Sequence, residues 1–164
     1  MIVMKFGGTS VADADHIAKA AQLADQSAPG PVVVVVSAMA TVTNSLRALG
    51  RQAAEGDVDG YRRTIAGLRE KHLAVADCLL QGDERVQVRA FVEQRLSEVE
   101  ALCAGLTVIG ELTLRAMDRI AGVGEKLSAT LLAAALRARG RDAAYVDAGA
   151  VVSVTVVSTT VVST

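Results

Sequence analysis

The chain has 164 residues, a hydrophobic content of 51% and a formal net charge of −1. This length is typical of one domain, and the apolar content is sufficient for a core, which excludes intrinsic disorder for most of the chain. The balanced charge and the aromatic content of 2% argue against nucleic-acid binding, which needs basic surfaces or rings that stack on bases.

The cysteines and the apolar segments indicate the compartment. Cys78 and Cys103 are too few and too far apart for a disulfide scaffold or a zinc motif, and we expect both to be small core residues. The apolar runs are much shorter than the roughly 20 residues of a membrane-spanning helix, and no signal-peptide pattern begins the sequence. We therefore expect a cytoplasmic protein that does not bind membranes.

The first third of the sequence predicts a β-α-β unit. Ile2–Phe6 is a short β-rich run, the pair Gly7-Gly8 follows it, and Ala12–Ser27 has apolar residues at helical spacing. The residues 28–31, Ala-Pro-Gly-Pro, end this helix and lead into Val32–Val36, which is typical of a parallel strand covered on both faces. The chain is therefore expected to begin as a layered α/β domain.

Long helices are predicted between Asn44 and Met117, with breaks near Gly56 and at residues 81–83. Their apolar faces include Ile65, Leu68, His72, Ala76, Leu79, Val88, Val92, Val99, Cys103 and Leu106.

The remaining sequence predicts one more helix, one more strand and a tail. The helix, Glu125–Arg139, ends at Gly140, and Asp142–Asp147 is expected to return to the sheet as a strand. The segment Val151–Thr164 contains only Val, Ser and Thr and repeats every five residues, so we treat it as a low-complexity tail.

The first candidate site is the turn after the first strand, where Lys5 is followed by Gly7, Gly8, Thr9 and Ser10. Glycines allow backbone N–H groups to approach a phosphate, and a lysine and a helix N-terminus add positive charge. The alternative is a tight turn with a solvated lysine, in which one of the hydroxyls caps the helix.

Two further segments carry candidate residues. Small and hydroxyl residues follow the second strand, and the carboxyl ends of parallel strands border one crevice; the alternative for Thr43 or Asn44 is a helix N-cap. Glu125 follows a glycine-rich loop, where it either complements the helix dipole or binds an ammonium group. His16 and His72 lack partners at ligand spacing, so no metal site is predicted.

Three sequence blocks resemble those of aspartate kinases in the amino acid kinase superfamily. They are Lys-Phe-Gly-Gly-Thr-Ser-Val, Val-Ser-Ala-Met-x-x-Val-Thr-Asn, and Gly-Glu-Lys-Leu-Ser-Ala followed by Ala-Arg-Gly and Val-Asp-Ala. The resemblance covers residues 1–150, including the helical region. It implies a three-layer α/β/α sandwich with a mostly parallel sheet, of which this chain is the N-terminal, amino-acid-binding part.

The resemblance implies phosphoryl transfer from MgATP to the side-chain carboxylate of L-aspartate, which gives 4-phospho-L-aspartate for lysine, threonine and methionine synthesis. It implies that Lys5 is catalytic and steadies the transferred phosphoryl group, and that Thr43 and Glu125 bind aspartate, the latter through its α-ammonium. The residues implied at the phosphates are Lys5, Gly7, Gly8, Thr9, Ser10, Ser37 and Ala38. A homo-oligomer is implied for the full-length protein.

The sequence departs from the family pattern in two respects. Ala40-Thr41 stands where the family usually has one or two glycines. The chain also ends before the segments that supply a substrate-binding arginine, an organising aspartate and the adenine site, so we expect it to be inactive alone. Two alternatives remain: a non-catalytic module that binds aspartate or a kinase subunit, and an amino acid kinase with another acceptor.

Overall fold

The computed structural model describes residues 2–27 and 30–147. Within these residues two strands lie early in the chain, and α-helices form most of the rest. In chain order the elements are β1 (Ile2–Phe6), a 3₁₀ helix (Gly8–Val11), α1 (Ala14–Gln26), β2 (Val32–Val36), α2 (Val42–Ala54), α3 (Val58–Leu79), α4 (Gly82–Ile109), α5 (Leu114–Ala121) and α6 (Val123–Ala138). The predicted α/β class is confirmed.

The predicted β-α-β unit is present. Strands β1 and β2 are parallel, with Ile2 opposite Val32 and Phe6 opposite Val36, and α1 lies between them in the chain. The backbone pairing continues past the strands, because the Ser37 N–H donates to the Phe6 carbonyl oxygen at 3.1 Å. The two strands therefore end side by side, as the sequence predicted for the two loops that follow them.

The prediction that Val32–Val36 is covered on both faces is wrong for the described residues. Met4 and Val34 pack against the core, whereas Val33 and Val35 are 45% and 49% exposed. The cause is the pleat: successive side chains point to opposite faces, and α6 packs against β2 on one of them.

The long helical region is confirmed. Helices α2, α3 and α4 pack on one another, and the predicted apolar faces of α3 and α4 are largely buried. The break near Gly56 is present, since this residue takes a φ of +82° after α2. A further break at Gly110, with a φ of +73°, separates α4 from α5 and was not predicted.

The helix predicted at Glu125–Arg139 is confirmed as α6, but the strand predicted at Asp142–Asp147 is wrong. A strand requires a hydrogen-bonded neighbour, and the sheet of the described region contains only β1 and β2. Side chains hold this segment instead: Arg137 Nη1 donates to the Ala143 carbonyl oxygen at 2.9 Å, and the Tyr145 ring lies edge-on to Phe91.

The remaining expectations have mixed outcomes. Cys103 is buried as predicted, but Cys78 is exposed near the end of α3, so its assignment to the core is wrong. None of the helices in the described part is long and apolar enough to cross a membrane. The tail Val151–Thr164 and the boundary at residue 150 lie outside the described residues.

Candidate functional site

The three motifs found in the sequence meet at Ala38. A Cβ atom on Gly8 would lie 2.8 Å from the Ala38 carbonyl oxygen, and one on Gly124 would lie 2.7 Å from the Ala38 Cβ. Real Cβ contacts are essentially never this short, so both positions need glycine for close packing. The loop after β1, the loop after β2 and the start of α6 are thereby packed directly against each other.

The loop after β1 forms the 3₁₀ helix Gly8–Val11, in which the Ser10 N–H donates to the Gly7 carbonyl oxygen at 2.9 Å. Helix α1 is capped by Asp13, whose Oδ1 accepts the His16 N–H at 3.0 Å. The alternative that Thr9 or Ser10 caps this helix is therefore wrong. Both hydroxyl residues are exposed.

A cavity of about 390 Å³ lies between the loop after β1 and the loop after β2. Its lining consists of Gly8, Thr9, Ser37, Ala38, Met39, Ala40, Thr41, Thr43 and Asn44. The structure thus brings four of the predicted phosphate residues together with the predicted substrate residue Thr43. Lys5, Gly7 and Ser10 are not part of this lining.

Helix α2 begins at the cavity. Its N-cap is Thr41, which makes no side-chain capping hydrogen bond, so the alternative that Thr43 or Asn44 is the cap is wrong. The first turn of a helix leaves backbone N–H groups without a helical carbonyl partner, and such groups favour anions. Since residues of this turn line the cavity, the helix end adds partial positive charge there.

Lys5 is the penultimate residue of β1, directly opposite Val35 in β2. Its side chain is exposed. It lies on the strand face that carries Val33 and Val35, not on the face that packs against the helices. The lysine is therefore free to contact a molecule that approaches this open face near the strand ends.

Glu125 lies in the first turn of α6 and is exposed. It borders a second, larger groove of about 1430 Å³, which is also lined by β2 and residues 143–147. The structure does not place Glu125 in the same cavity as Thr43, although the adjacent Gly124 touches Ala38. The first-turn position also matches the alternative in which the carboxylate complements the helix dipole.

Two interactions near these loops were not found from the sequence. Lys71 of α3 donates from Nζ to the Ala40 carbonyl oxygen at 2.7 Å. Lys126 of α6 pairs with Asp147 at 2.6 Å, which ties the third motif to the segment 141–147. No sequence signal marks either pair, because the partners lie 31 and 21 residues apart. Among the described residues no cluster of three or more His, Cys, Asp or Glu side chains could hold a metal ion.

Comparisons with known proteins agree with this arrangement. The family model described as the amino acid kinase family matches residues 1–163. The chain belongs to the amino acid kinase family.

Within that family, the expected resemblance to aspartate kinases is confirmed. The chain is 34% identical over 144 residues to the bifunctional aspartokinase/homoserine dehydrogenase 1, chloroplastic, of Arabidopsis thaliana, covering 88% of this chain and 16% of that protein. It is 36% identical to aspartokinase 3, chloroplastic, of the same plant, covering 86% of this chain and 24% of that protein.

A solved structure gives the same result. The chain is similar to E. coli aspartokinase III in complex with aspartate and ADP, with a TM-score of 0.75 and 29% identity. The match covers 87% of this chain and 30% of that one. The chain therefore spans less than a third of the length of these relatives.

Proposed function

We propose that this chain is the part of an aspartate kinase that binds L-aspartate and the phosphoryl group transferred from ATP. The observation that supports the proposal is the close packing of Gly8 and Gly124 on Ala38, which holds the loop after β1, the loop after β2 and the start of α6 against one another. The aspartokinase relatives, one of them solved with aspartate and ADP, favour this substrate pair.

The reaction would proceed by direct transfer. An oxygen of the aspartate side-chain carboxylate attacks the γ-phosphorus, a new P–O bond forms, and the bond to the bridging oxygen of ADP breaks. Such transfer needs positioning and compensation of negative charge more than covalent chemistry from the protein. Gly7 and Gly8 would offer backbone N–H groups, and Lys5 would place a full positive charge at the transferred group.

The acceptor amino acid would lie nearer to Ala38. The Thr43 hydroxyl would donate a hydrogen bond to a carboxylate of the amino acid. Glu125, which follows Gly124 at the start of α6, would pair with the α-ammonium group of the amino acid. Thr9, Ser10 and Ser37 would complete the phosphate side. Mg²⁺ would be held mainly by the nucleotide phosphates, as is usual for this ion, since the described residues offer no cluster of ligands.

The finer structural and cellular assignments belong to the same proposal. The exposed valines of β2 are the surface on which a second helix layer would complete the α/β/α sandwich. Two free cysteines fit a reducing compartment such as the cytoplasm. A homo-oligomer of the full-length protein and a role in lysine, threonine and methionine synthesis are proposed from the resemblance alone.

The test is a calorimetric titration of the chain with L-aspartate, with L-glutamate and D-aspartate as competitors. We expect binding of L-aspartate that Glu125→Gln weakens by about tenfold or more, because the variant loses the charge that faces the ammonium group. Glu111→Gln, at another exposed glutamate, is the matched control and should bind normally. Failure of the unchanged chain to bind L-aspartate, or a preference for L-glutamate, would contradict the proposal.

A further inference from the structure

The loop between β2 and α2 has an unfavourable backbone conformation. Thr41 takes a φ of +72° and a ψ of −19°, in the left-handed region. No other non-glycine residue of the described part has a positive φ. A β-branched side chain is poorly suited to this region because its Cβ crowds the backbone. The surrounding structure must therefore hold Thr41 in place.

The side chain that reaches this turn is Lys71, from the middle of α3. Its Nζ donates to the Ala40 carbonyl oxygen at 2.7 Å and to the Thr41 Oγ1 at 3.4 Å. The lysine is half-buried, and none of the ion pairs in the described part of the chain includes it. The carbonyl of the strained turn is thus its short, charge-assisted acceptor.

The turn in question shapes the cavity. Ala40 and Thr41 line it directly, whereas Lys71 contacts the loop and is not among the lining residues. We propose that Lys71 is a positioning residue, which holds the Ala40–Thr41 turn in the left-handed geometry that places Thr43 at the cavity. The identity of the ligand rests on the proposed function, but the effect of Lys71 on the loop does not.

Two backbone amides report the geometry of this turn. The Val42 N–H donates to the Met39 carbonyl oxygen at 3.1 Å, and the Ser45 N–H donates to the Thr41 carbonyl oxygen at 3.0 Å. Both hydrogen bonds depend on the conformation of Thr41. Their hydrogen-exchange rates therefore measure how firmly the turn is held.

The experiment compares exchange at these amides in the unchanged chain, Lys71→Met, Thr41→Gly and the double variant. Lys71→Met should accelerate exchange at Val42 and Ser45 by about tenfold, the value expected for loss of a hydrogen bond from a charged donor. In the Thr41→Gly background the same substitution should have a smaller effect, because glycine adopts the left-handed region without strain. Lys19→Met, at an exposed lysine of α1, is the matched control.

Equal exchange in Lys71→Met and the unchanged chain would overturn the inference. It would also be overturned if exchange rose by the same factor throughout α2 and α3, because Lys71 would then support the whole fold and not the turn. An L-aspartate titration separates the two proposals: if the unchanged chain binds no aspartate, the proposed function fails while the exchange rates still decide the role of Lys71. If it binds, Lys71→Met should weaken binding several-fold and Thr41→Gly should restore part of the loss.

Discussion

Arg137 of α6 and Glu84 of α4 lie 53 residues apart in the chain and form a two-point ion pair between the two helices. The guanidinium donates from Nε to Glu84 Oε1 at 2.6 Å and from Nη2 to Oε2 at 2.8 Å. The same arginine holds the segment after α6 through the Ala143 carbonyl oxygen. This pair therefore fixes the start of α4 and the wall of the larger groove to one helix.

Because of this ion pair, we expect the free energy of unfolding to decrease at acidic pH. The hydrogen bond from Arg137 lowers the pKa of Glu84 below its ordinary value of 4.5. A carboxylate whose pKa is lowered on folding stabilises the fold at pH values above its pKa in the unfolded chain. This contribution is lost as the pH falls through its pKa in the folded chain. Glu84→Gln should reduce the free energy of unfolding by about 1 kcal/mol at pH 7.

Urea unfolding at pH 7 and at pH 3 measures this difference. The difference in unfolding free energy between the unchanged chain and Glu84→Gln should narrow at the lower pH, because the unfolded chain takes up a proton at Glu84 below pH 4.5 and the contribution of the folded carboxylate is progressively lost. Glu111→Gln provides the control at an exposed glutamate. A gap that stays constant with pH would mean that the carboxylate charge contributes nothing.

Because Gly124 packs so closely, we expect substitution by alanine to have opposite effects on stability at Gly124 and at Gly67, which also lies in a helix. Gly124→Ala forces a methyl group to within 2.7 Å of the Ala38 Cβ and 3.0 Å of a Val42 methyl, whereas the same change at Gly67 meets nothing within 4 Å. We expect Gly124→Ala to cost about 1–3 kcal/mol. Gly67→Ala should stabilise α3 by up to about 1 kcal/mol.

Thermal unfolding of the two variants checks this prediction. A Gly124→Ala variant as stable as the unchanged chain would show that α6 can shift away from Ala38. Titration with L-aspartate would then show whether that shift disturbs the cavity.

His72 predicts a second pH dependence, closer to neutrality. The residue is fully buried in α3, and its Nδ1 donates to the Leu68 carbonyl oxygen at 2.6 Å while Nε2 lacks a partner among the described residues. Burial lowers its pKa below the ordinary value of 6.5, and the positive charge of Lys71 acts in the same direction. The folded protein therefore holds a neutral imidazole.

The sign of the effect follows from proton binding. Below pH 6.5 the unfolded chain binds a proton at this position before the folded chain does, so stability falls as the pH decreases from 6.5. One such group contributes a slope of at most about 1.4 kcal/mol per pH unit. Unfolding measured between pH 7.5 and 5.5 should show this slope in the His16→Gln control but not in His72→Leu; an equal slope in both would assign it to other groups.

Lys5 predicts a separation of stability from catalysis. Its side chain is exposed on the open face of the sheet, so Lys5→Met should change the free energy of unfolding by about 1 kcal/mol or less. In an aspartate kinase that contains this segment, the same change should lower kcat by orders of magnitude, because the transferred phosphoryl group loses a full positive charge. Lys19→Met should alter neither quantity. A kcat within a few-fold of normal would contradict a catalytic role and would mean that Lys5 is only a solvated lysine near the end of β1.

The sequence by itself determined the features that depend on local chemistry. The β-α-β unit, the apolar faces of α3 and α4, and the end of α6 shortly before Gly140 follow from residue periodicity and from the preferences of glycine and proline. The three motifs were recognisable for the same reason, since each is a short run at a strand end or a helix start. The sequence also predicted that β1 and β2 end at the same edge of the sheet, because the carboxyl ends of neighbouring parallel strands lie side by side.

Only the tertiary structure decided the features that depend on distant partners. Residues 142–147 have a sequence suitable for a strand, yet within the described part of the chain no strand pairs with them, and side chains of α4 and α6 hold them instead. Val33 and Val35 are as apolar as their neighbours, but helices cover only one face of the described sheet. Lys71 reaches Ala40 across 31 residues, which no local pattern encodes. Periodicity specifies which face of an element is apolar, whereas packing between elements decides what that face meets.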